Sequence, residues 1–459
     1  MTILLKIWLA LFSVFATMAR AENSWTWTQV GSDIDGEAAN DYFGTSVSMS
    51  ADGTRVAIGA WGNDGNGSFA GHVRVYEESS GTWTQVGSDI DGEAAGDFSG
   101  SSVYLSSDGT RVAIGADTND GGSGDVNDDR GHVRVYAESG GTWTQVGSDI
   151  DGEAADDGSG SSVSLSSDGT RVAIGAPSND GNGNFAGHVR VYAESGGTWT
   201  QVGSDIDGEA ADDGSGSSVS LSSDGTRVAI GAWGNKGNGH VAGHVRVYEE
   251  SVGTWTQVGA DIDGAARGDW FGFSVSLSAV GTRVAIGAPF NGDNGNFAGH
   301  VRVYEESSGT WTQVGSDIVG KAAADQSGIV SLSSDGTRVA IGAPGNDDNG
   351  NFAGHVRVYV ENGGTWTQVG PDIDGEAADD QSGIVSLSSD GTRMAIGASS
   401  NDAGHVRVYD LHPCDASTAP QNGGVGDCTS SLASGSYESC TNVCPADSNY
   451  YEGKCSFFS

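Results

Sequence analysis

The 459 residues carry 61 acidic and 21 basic side chains, a net charge of −40, with 75 glycines, 12 tryptophans and 5 cysteines. So large an acid excess excludes partners whose surfaces are anionic, nucleic acids and acidic membranes among them. It suits solubility, cation uptake or a basic partner.

The chain opens with "MTILLK", an apolar run "IWLALFSVFA" and Ala19-Arg20-Ala21. A weakly basic start, a short apolar stretch and a small-x-small step predict a signal peptide over residues 1–21. Only thirteen uncharged residues separate Lys6 from Arg20, too few to span a bilayer. The mature chain is thus expected to be exported, without a membrane span, and two units more negative once Lys6 and Arg20 are removed.

From residue 22 to 411 four phrases recur seven times in fixed order: "TWTQVG" (Trp27, Trp83, Trp143, Trp199, Trp255, Trp311, Trp366), "SVSLS" or a variant, "TRVAIGA", and "GHVRVY" (His72, His132, His188, His244, His300, His355, His405). Successive tryptophans lie 56, 60, 56, 56, 56 and 55 residues apart. Each phrase is short, β-branched and alternating, so each is predicted to be a strand. Asp-Gly, as at Asp52-Gly53, separates the second phrase from the third and predicts a two-residue hairpin. Seven antiparallel four-stranded units at this period predict an all-β, seven-bladed β-propeller. The last unit stops after "GHVRVYD" while the first strand phrase precedes the first full unit, so pairing residues 25–31 with 404–410 would close the ring and leave no exposed edge. Val103 and Leu105 face one way, and in most repeats of this phrase serines face the other, which predicts blades stacked bulky face on small face.

"FGTSVSMSADGTRVAIGAWG" and "FGFSVSLSAVGTRVAIGAPF" resemble FG-GAP repeats, the units of the integrin α-subunit N-terminal propeller. Phe43-Gly44 and Phe271-Gly272 open the first strand of their units, and Gly-Ala-Pro stands at 175–177, 287–289 and 342–344. The resemblance runs over about residues 25 to 410 and implies a secreted or cell-surface protein of adhesion and ligand binding. The family's calcium loop, DxDxDGxxD, does not carry over, because the corresponding turn here is "SSDGTR", too short for six oxygen ligands.

In a meander, alternate turns share a face of the disc. The long connections, such as "SDIDGEAADDGSG" and "GAPSNDGNGNFAG", therefore fall together on one acidic face, where binding is expected. Residues repeated in every blade serve the blades. Asp41, Asp97, Asp157, Asp213, Asp269, Asp325 and Asp380 read as turn caps or as partners of a blade arginine such as Arg74. The seven histidines, one per blade, cannot converge on one ion and read as structural hydrogen-bonding groups. A ligand-binding site needs residues that break the symmetry: Trp61, Trp233, Lys236, His240, Arg267, Trp270, Phe273 and Phe290. Calcium is the one cofactor the loops suggest. Asp180, Asn182 and Asn184 match the start of a calcium loop, yet Phe185 occupies its glycine place and Val191 its acidic twelfth, so a plain Asn/Gly turn is the first reading. Asn66-Gly-Ser is the one glycosylation sequon.

Residues 412–459 hold every cysteine, Cys414, Cys428, Cys440, Cys444 and Cys455, and predict a small disulfide-rich tail of unknown pairing, with an odd cysteine open to another chain. The functional expectation is a secreted recognition or adhesion module that binds an extracellular protein or glycan through the acidic loop face. Its rivals are a cation- or mineral-associated matrix protein and a glycoside hydrolase or lyase on a propeller scaffold. No catalytic constellation favours an enzyme: "SSGTW" resembles the end of the sialidase Asp-box, but Ser79 stands where its aspartate belongs.

Overall fold

The alternation of Val, Ile and Tyr with small or polar residues makes each phrase a strand. The computed structural model describes residues 25–121, 128–400, 403–413, 448–451 and 454–457, and all regular structure among them is β. The chain forms two compact units: Gln29–Gln368 with Asp372–Asp410, and Met1–Thr28 with Val369–Pro371 and Leu411–Ser459.

The larger unit is a seven-bladed propeller. After β1 (Trp25–Gln29) and β2 (Ile34–Asp35), the first blade runs β3 (Ser46–Met49), β4 (Arg55–Ala60), β5 (His72–Ser79) and β6 (Thr82–Gln85), antiparallel throughout. A short β7 (Ile90–Asp91) pairs with the start of β5, so the outer edge of the blade is built in two pieces. Five more blades repeat this plan, and the seventh takes its outer pieces from the beginning of the chain. There β2 lies antiparallel to the strand His405–Pro413, with Ile34 opposite Val406, and Val30 N–H donates to Val408 O at 2.7 Å.

Closure is also written in a ring of backbone hydrogen bonds around the axis. The N–H of Ala51 donates to Ser107 O, Ser107 to Ser167, Ser167 to Ser223, Ser223 to Ala279, Ala279 to Ser334 and Ser334 to Ser389; Ser389 returns to Ala51 O at 2.8 Å. A second ring is made by the arginines of "TRVAIGA". Each places a guanidinium N–H on the turn-glycine carbonyl of the next blade, from Arg55 on Gly109 O (3.1 Å) round to Arg393 on Gly53 O (3.2 Å). Arg55, Arg111, Arg171, Arg227, Arg283 and Arg393 also reach a glutamate on the neighbouring blade's outer hairpin, as Arg55 reaches Glu138 at 3.2 Å.

The Asp-Gly turn itself differs from a two-residue hairpin. Ser50 N–H donates to Arg55 O, so four residues, 51–54, make the loop, and Gly53 N–H closes an inner turn on Ser50 O. Only the glycine takes a positive φ, +73°. The aspartate acts instead as an acceptor, its Oδ1 taking bonds from Ser50 Oγ, Thr54 N and Thr54 Oγ1 at 2.8–2.9 Å.

The core lies between blades. Ala57, Val73 and Val75 of the first blade pack on Val103, Leu105, Val112 and Ile114 of the second, and equivalent layers follow round the ring. This is the bulky-on-small stacking the serines predict. The glycine in "AIGA" is required by it: a Cβ on Gly59 would stand 2.1 Å from Gly100 O of the next blade.

In the smaller unit, Trp27 Nε1–H donates to Val369 O at 3.0 Å, and Ser448–Tyr451 pairs antiparallel with Lys454–Phe457. A disulfide-rich tail finds no support here: Cys414, Cys428, Cys440 and Cys444 lie outside the described residues, as do residues 1–21, and Cys455 falls on the second strand of that hairpin.

Candidate recognition face

Both kinds of long connection meet on one face, and a buried polar core holds them. Asp41 accepts from Ala38 N–H and from Asn63 Nδ2 (2.9 Å), while Asn63 Oδ1 accepts from Gly65 N–H (2.8 Å). Asp157, Asp213, Asp269 and Asp325 repeat the bond to an asparagine, and Asp97 and Asp380 take backbone N–H groups. All seven are buried, as caps require. Arg74 is not their partner. It forms a two-pronged pair with Asp89, at 3.0 and 2.9 Å, and contacts Glu37.

The residues that break the sevenfold pattern gather into two aromatic tracts. In one, Trp233 of blade four stacks on Trp270 at the entrance to blade five (4.3 Å between ring centres, 24° between planes); Trp270 in turn meets Phe290 at 4.4 Å and Phe273 at 6.2 Å, and Phe290 meets Phe297 at 5.6 Å. In the other, Tyr42 lies flat on Trp61 (4.4 Å, 5°), with Phe98 and Phe69 beyond it. Phe69, Phe273 and Phe297 are 39–44% exposed, and the three tryptophans are half-buried. Tyr42, Phe98 and Trp270 share a turn position with φ of 55–57°, where a bulky side chain is strained. Gln326 and Gln381 adopt the same turn, so the conformation belongs to the blade and the aromatics to the tracts.

Of the predicted ligand-binding residues, Trp233, Trp270 and Phe273 are thus brought together, and Trp61 stands in the other tract. Lys236 is exposed, but its Nζ is held by Asp212 Oδ2 at 2.8 Å. His240 and Arg267 are exposed on adjoining connections, joined through their backbones where Gly268 N–H donates to His240 O. Phe69, Phe98 and Phe297 were not singled out by sequence. The signal was present, an aromatic at "FAGH" or beside the capping aspartate, but it hides among repeats that carry the same residue alone, such as Phe185 and Phe352.

The calcium-like triplet is engaged in its own turn. Asp180 Oδ1 accepts from Phe185 N–H, and Asn182 Nδ2 donates to Gly208 O, both near 2.8 Å. Asn66 is similar: Nδ2, the atom a glycan would join, donates to Gly92 O at 2.7 Å.

Along the axis the inner strands enclose a cavity of about 210 Å³. Its serine hydroxyls are committed between blades, Ser48 Oγ accepting from Leu105 N–H (2.9 Å) and Ser164 Oγ from Leu221 N–H (3.0 Å). Tyr104 replaces one of these serines; burial pushes its phenol above the usual range, against a bond with Ser164.

The histidines are buried, and the hydrogen bonds expected of them are missing at one nitrogen of most and at both of His300 and His355. Nε2 of His72, His132, His188, His300, His355 and His405 has no partner. Burial, aided by the adjacent arginine, holds His132 and His244 neutral with pKa values pushed down to about 4. They do not converge on one ion, but His72, His132, His188, His244 and His355 each stand with their own carboxylates.

Residues 29–76 match the FG-GAP repeat family. No curated protein sequence matches the chain. Among solved structures, a putative 6-phosphogluconolactonase from Bacteroides uniformis is similar, at 13% identity and a TM-score of 0.51 over 72% of this chain and 85% of that one. Hydrazine synthase of Kuenenia stuttgartiensis is similar at 13% identity and a TM-score of 0.49, over 81% and 95%. The likeness to the first is one of fold alone and carries no activity across. The class is that of the seven-bladed β-propellers. Within it, one stretch of this chain, residues 29–76, which carries the first three strands of blade one, matches the FG-GAP repeat.

Proposed function

We propose that this is an exported recognition module that binds an extracellular glycan or protein on its loop face, centred on Trp233 and Trp270. One observation carries this reading: a stacked tryptophan pair, flanked by partly exposed phenylalanines, sits where neighbouring blades lose their symmetry. Exposed indole faces grip sugar rings and apolar side chains. The acid excess turns away polyanions, and Lys236 is neutralised by Asp212, so a neutral or basic ligand fits best. A binding role is favoured over catalysis because the capping aspartates beside this tract, Asp213 and Asp269, are committed to asparagines of its own loops.

The test is a glycan array with a parallel pull-down on folded protein, followed by Trp270→Ala. A neutral ligand should be found, and the variant should weaken it at least tenfold, the loss of one stacked ring being about 1–3 kcal/mol. Silence from array and pull-down alike, or undiminished binding by the variant, would overturn the reading.

A further inference from the structure

The first residue of each blade's third strand is a histidine with almost no exposed surface, between 0 and 9%. Around four of them the incoming connection supplies a glutamate and the outgoing one an aspartate: Glu37/His72/Asp89, Glu93/His132/Asp149, Glu153/His188/Asp205 and Glu209/His244/Asp261. Within each set an imidazole nitrogen and two carboxylate oxygens lie within 4.8 Å of one another.

Blade four shows what the spacing means. His244 Nδ1 stands 3.9 Å from Glu209 Oε2 and 3.9 Å from Asp261 Oδ2. That is too far for a hydrogen bond. It is a few tenths of an ångström above the separation of two tetrahedral ligands on one small cation, roughly 3.3–3.6 Å when each bond is about 2.0–2.2 Å, so a small shift of the exposed glutamate closes the set. The other oxygen of Glu209 faces Arg246 Nη1 at 3.7 Å, so the arginine orients the carboxylate from behind and leaves Oε2 to the gap. Blades two and three repeat this, with Arg134 and Arg190 each 3.6 Å from Glu93 and Glu153 and their Nη2 drawn off to Asp91 O and Asp151 O. In blade one Arg74 engages both Glu37 and Asp89 and fills the gap itself.

Blade six supplies the independent sign. Lys321 stands where the glutamate belongs, and its Nζ lies 2.7 Å from Asp348 Oδ2 and 3.0 Å from Asp372 Oδ2. A side-chain cation occupies the niche there. Both nitrogens of the buried His355 beside it have no hydrogen-bond partner, Nδ1 facing Asp348 Oδ2 at 4.0 Å. A second such imidazole is His300, without a hydrogen bond at either nitrogen and 3.8 Å from Asp317.

We propose that blades two, three and four each bind one divalent cation of the zinc class, through His132, Glu93 and Asp149, through His188, Glu153 and Asp205, and through His244, Glu209 and Asp261. One imidazole with two carboxylates suits a borderline cation with water in the remaining position, whereas calcium favours oxygen alone. Lys321 replaces the ion in blade six.

The experiment is calorimetric titration of Zn2+ into the full chain, stripped with a chelator and with its cysteines alkylated so that thiolates contribute nothing. Three equivalents are expected. The exposed glutamates are changed rather than the buried histidines, so folding is spared: Glu209→Gln should weaken one site at least tenfold, and the triple variant E93Q/E153Q/E209Q should abolish uptake. Lys321→Glu should add a fourth equivalent. Less than one equivalent bound at 0.1 mM zinc, or uptake by the triple variant equal to that of the parent, would overturn the proposal.

Discussion

Asp52 shows how a repeated residue spends its chemistry on the scaffold. Burial works to raise its pKa, but the Thr54 N–H and the Ser50 and Thr54 hydroxyls outweigh it, so the carboxyl is held below its ordinary value. The same holds for Asp108, Asp168, Asp224, Asp335 and Asp390. A folded pKa below the unfolded one contributes stability that is full above the unfolded value, near pH 4, and is lost as pH falls through the folded value. Stability should therefore drop steeply below about pH 4, and urea midpoints across pH 2–6 would show it. Blade five is the natural control, because Val280, 70% exposed, stands in the aspartate's place while Ser278 Oγ still accepts from Arg283 N–H. Val280→Asp should add about 0.5–1.5 kcal/mol at pH 7, read from the same midpoints, and nothing at pH 2. The sequence revealed the turn but not its length, since Asp-Gly signals a positive φ that only the glycine supplies and conceals the aspartate's role as acceptor.

At the scale of elements, the four phrases were legible because each is long enough to alternate. The fifth piece, Ile34–Asp35 and its six counterparts, was not: two residues have no period, and only their pairing with the histidine strand defines them. The tryptophans lock blade to blade, the indole N–H of Trp199 donating to Val146 O at 2.7 Å and that of Trp255 to Val202 O at 2.7 Å. Trp199→Phe keeps most of the ring's packing and removes that bond, and should cost about 1 kcal/mol in urea unfolding; Trp199→Ala, which also empties the ring's place, should cost about 3 or more. The loop face was legible in part for a related reason. Trp233, Trp270 and Phe273 stood out as departures from the repeat, whereas the Glu–His–Asp sets did not. Glu209 lies 35 residues before His244 and Asp261 lies 17 after it, separations that become contacts only once the short outer piece brings both connections to the start of the third strand.

Over the whole molecule the excess charge meets a ring that is closed on itself. The arginines are mostly consumed between blades, Arg55 with Glu138 and Arg227 with Glu306, each of these side chains 11–15% exposed. Forty acidic charges are left without a basic counterpart anywhere in the chain. Two effects of salt then oppose each other. Screening weakens the clasps, but partly buried pairs at contact distance are screened little, while repulsion among exposed acids acts over tens of ångströms and falls sharply as the Debye length shrinks from about 30 Å at 0.01 M to about 10 Å at 0.1 M. Relief of repulsion outweighs the weakening of the clasps, so raising NaCl from 0.01 to 0.5 M should raise the thermal midpoint; a fall would show that the clasps dominate. Calcium chloride at matched ionic strength separates screening from specific binding. With Asp180 committed to Phe185 N–H and Asn182 to Gly208 O, those loops have no free ring of oxygens to offer, and calcium should shift the midpoint no further than sodium does.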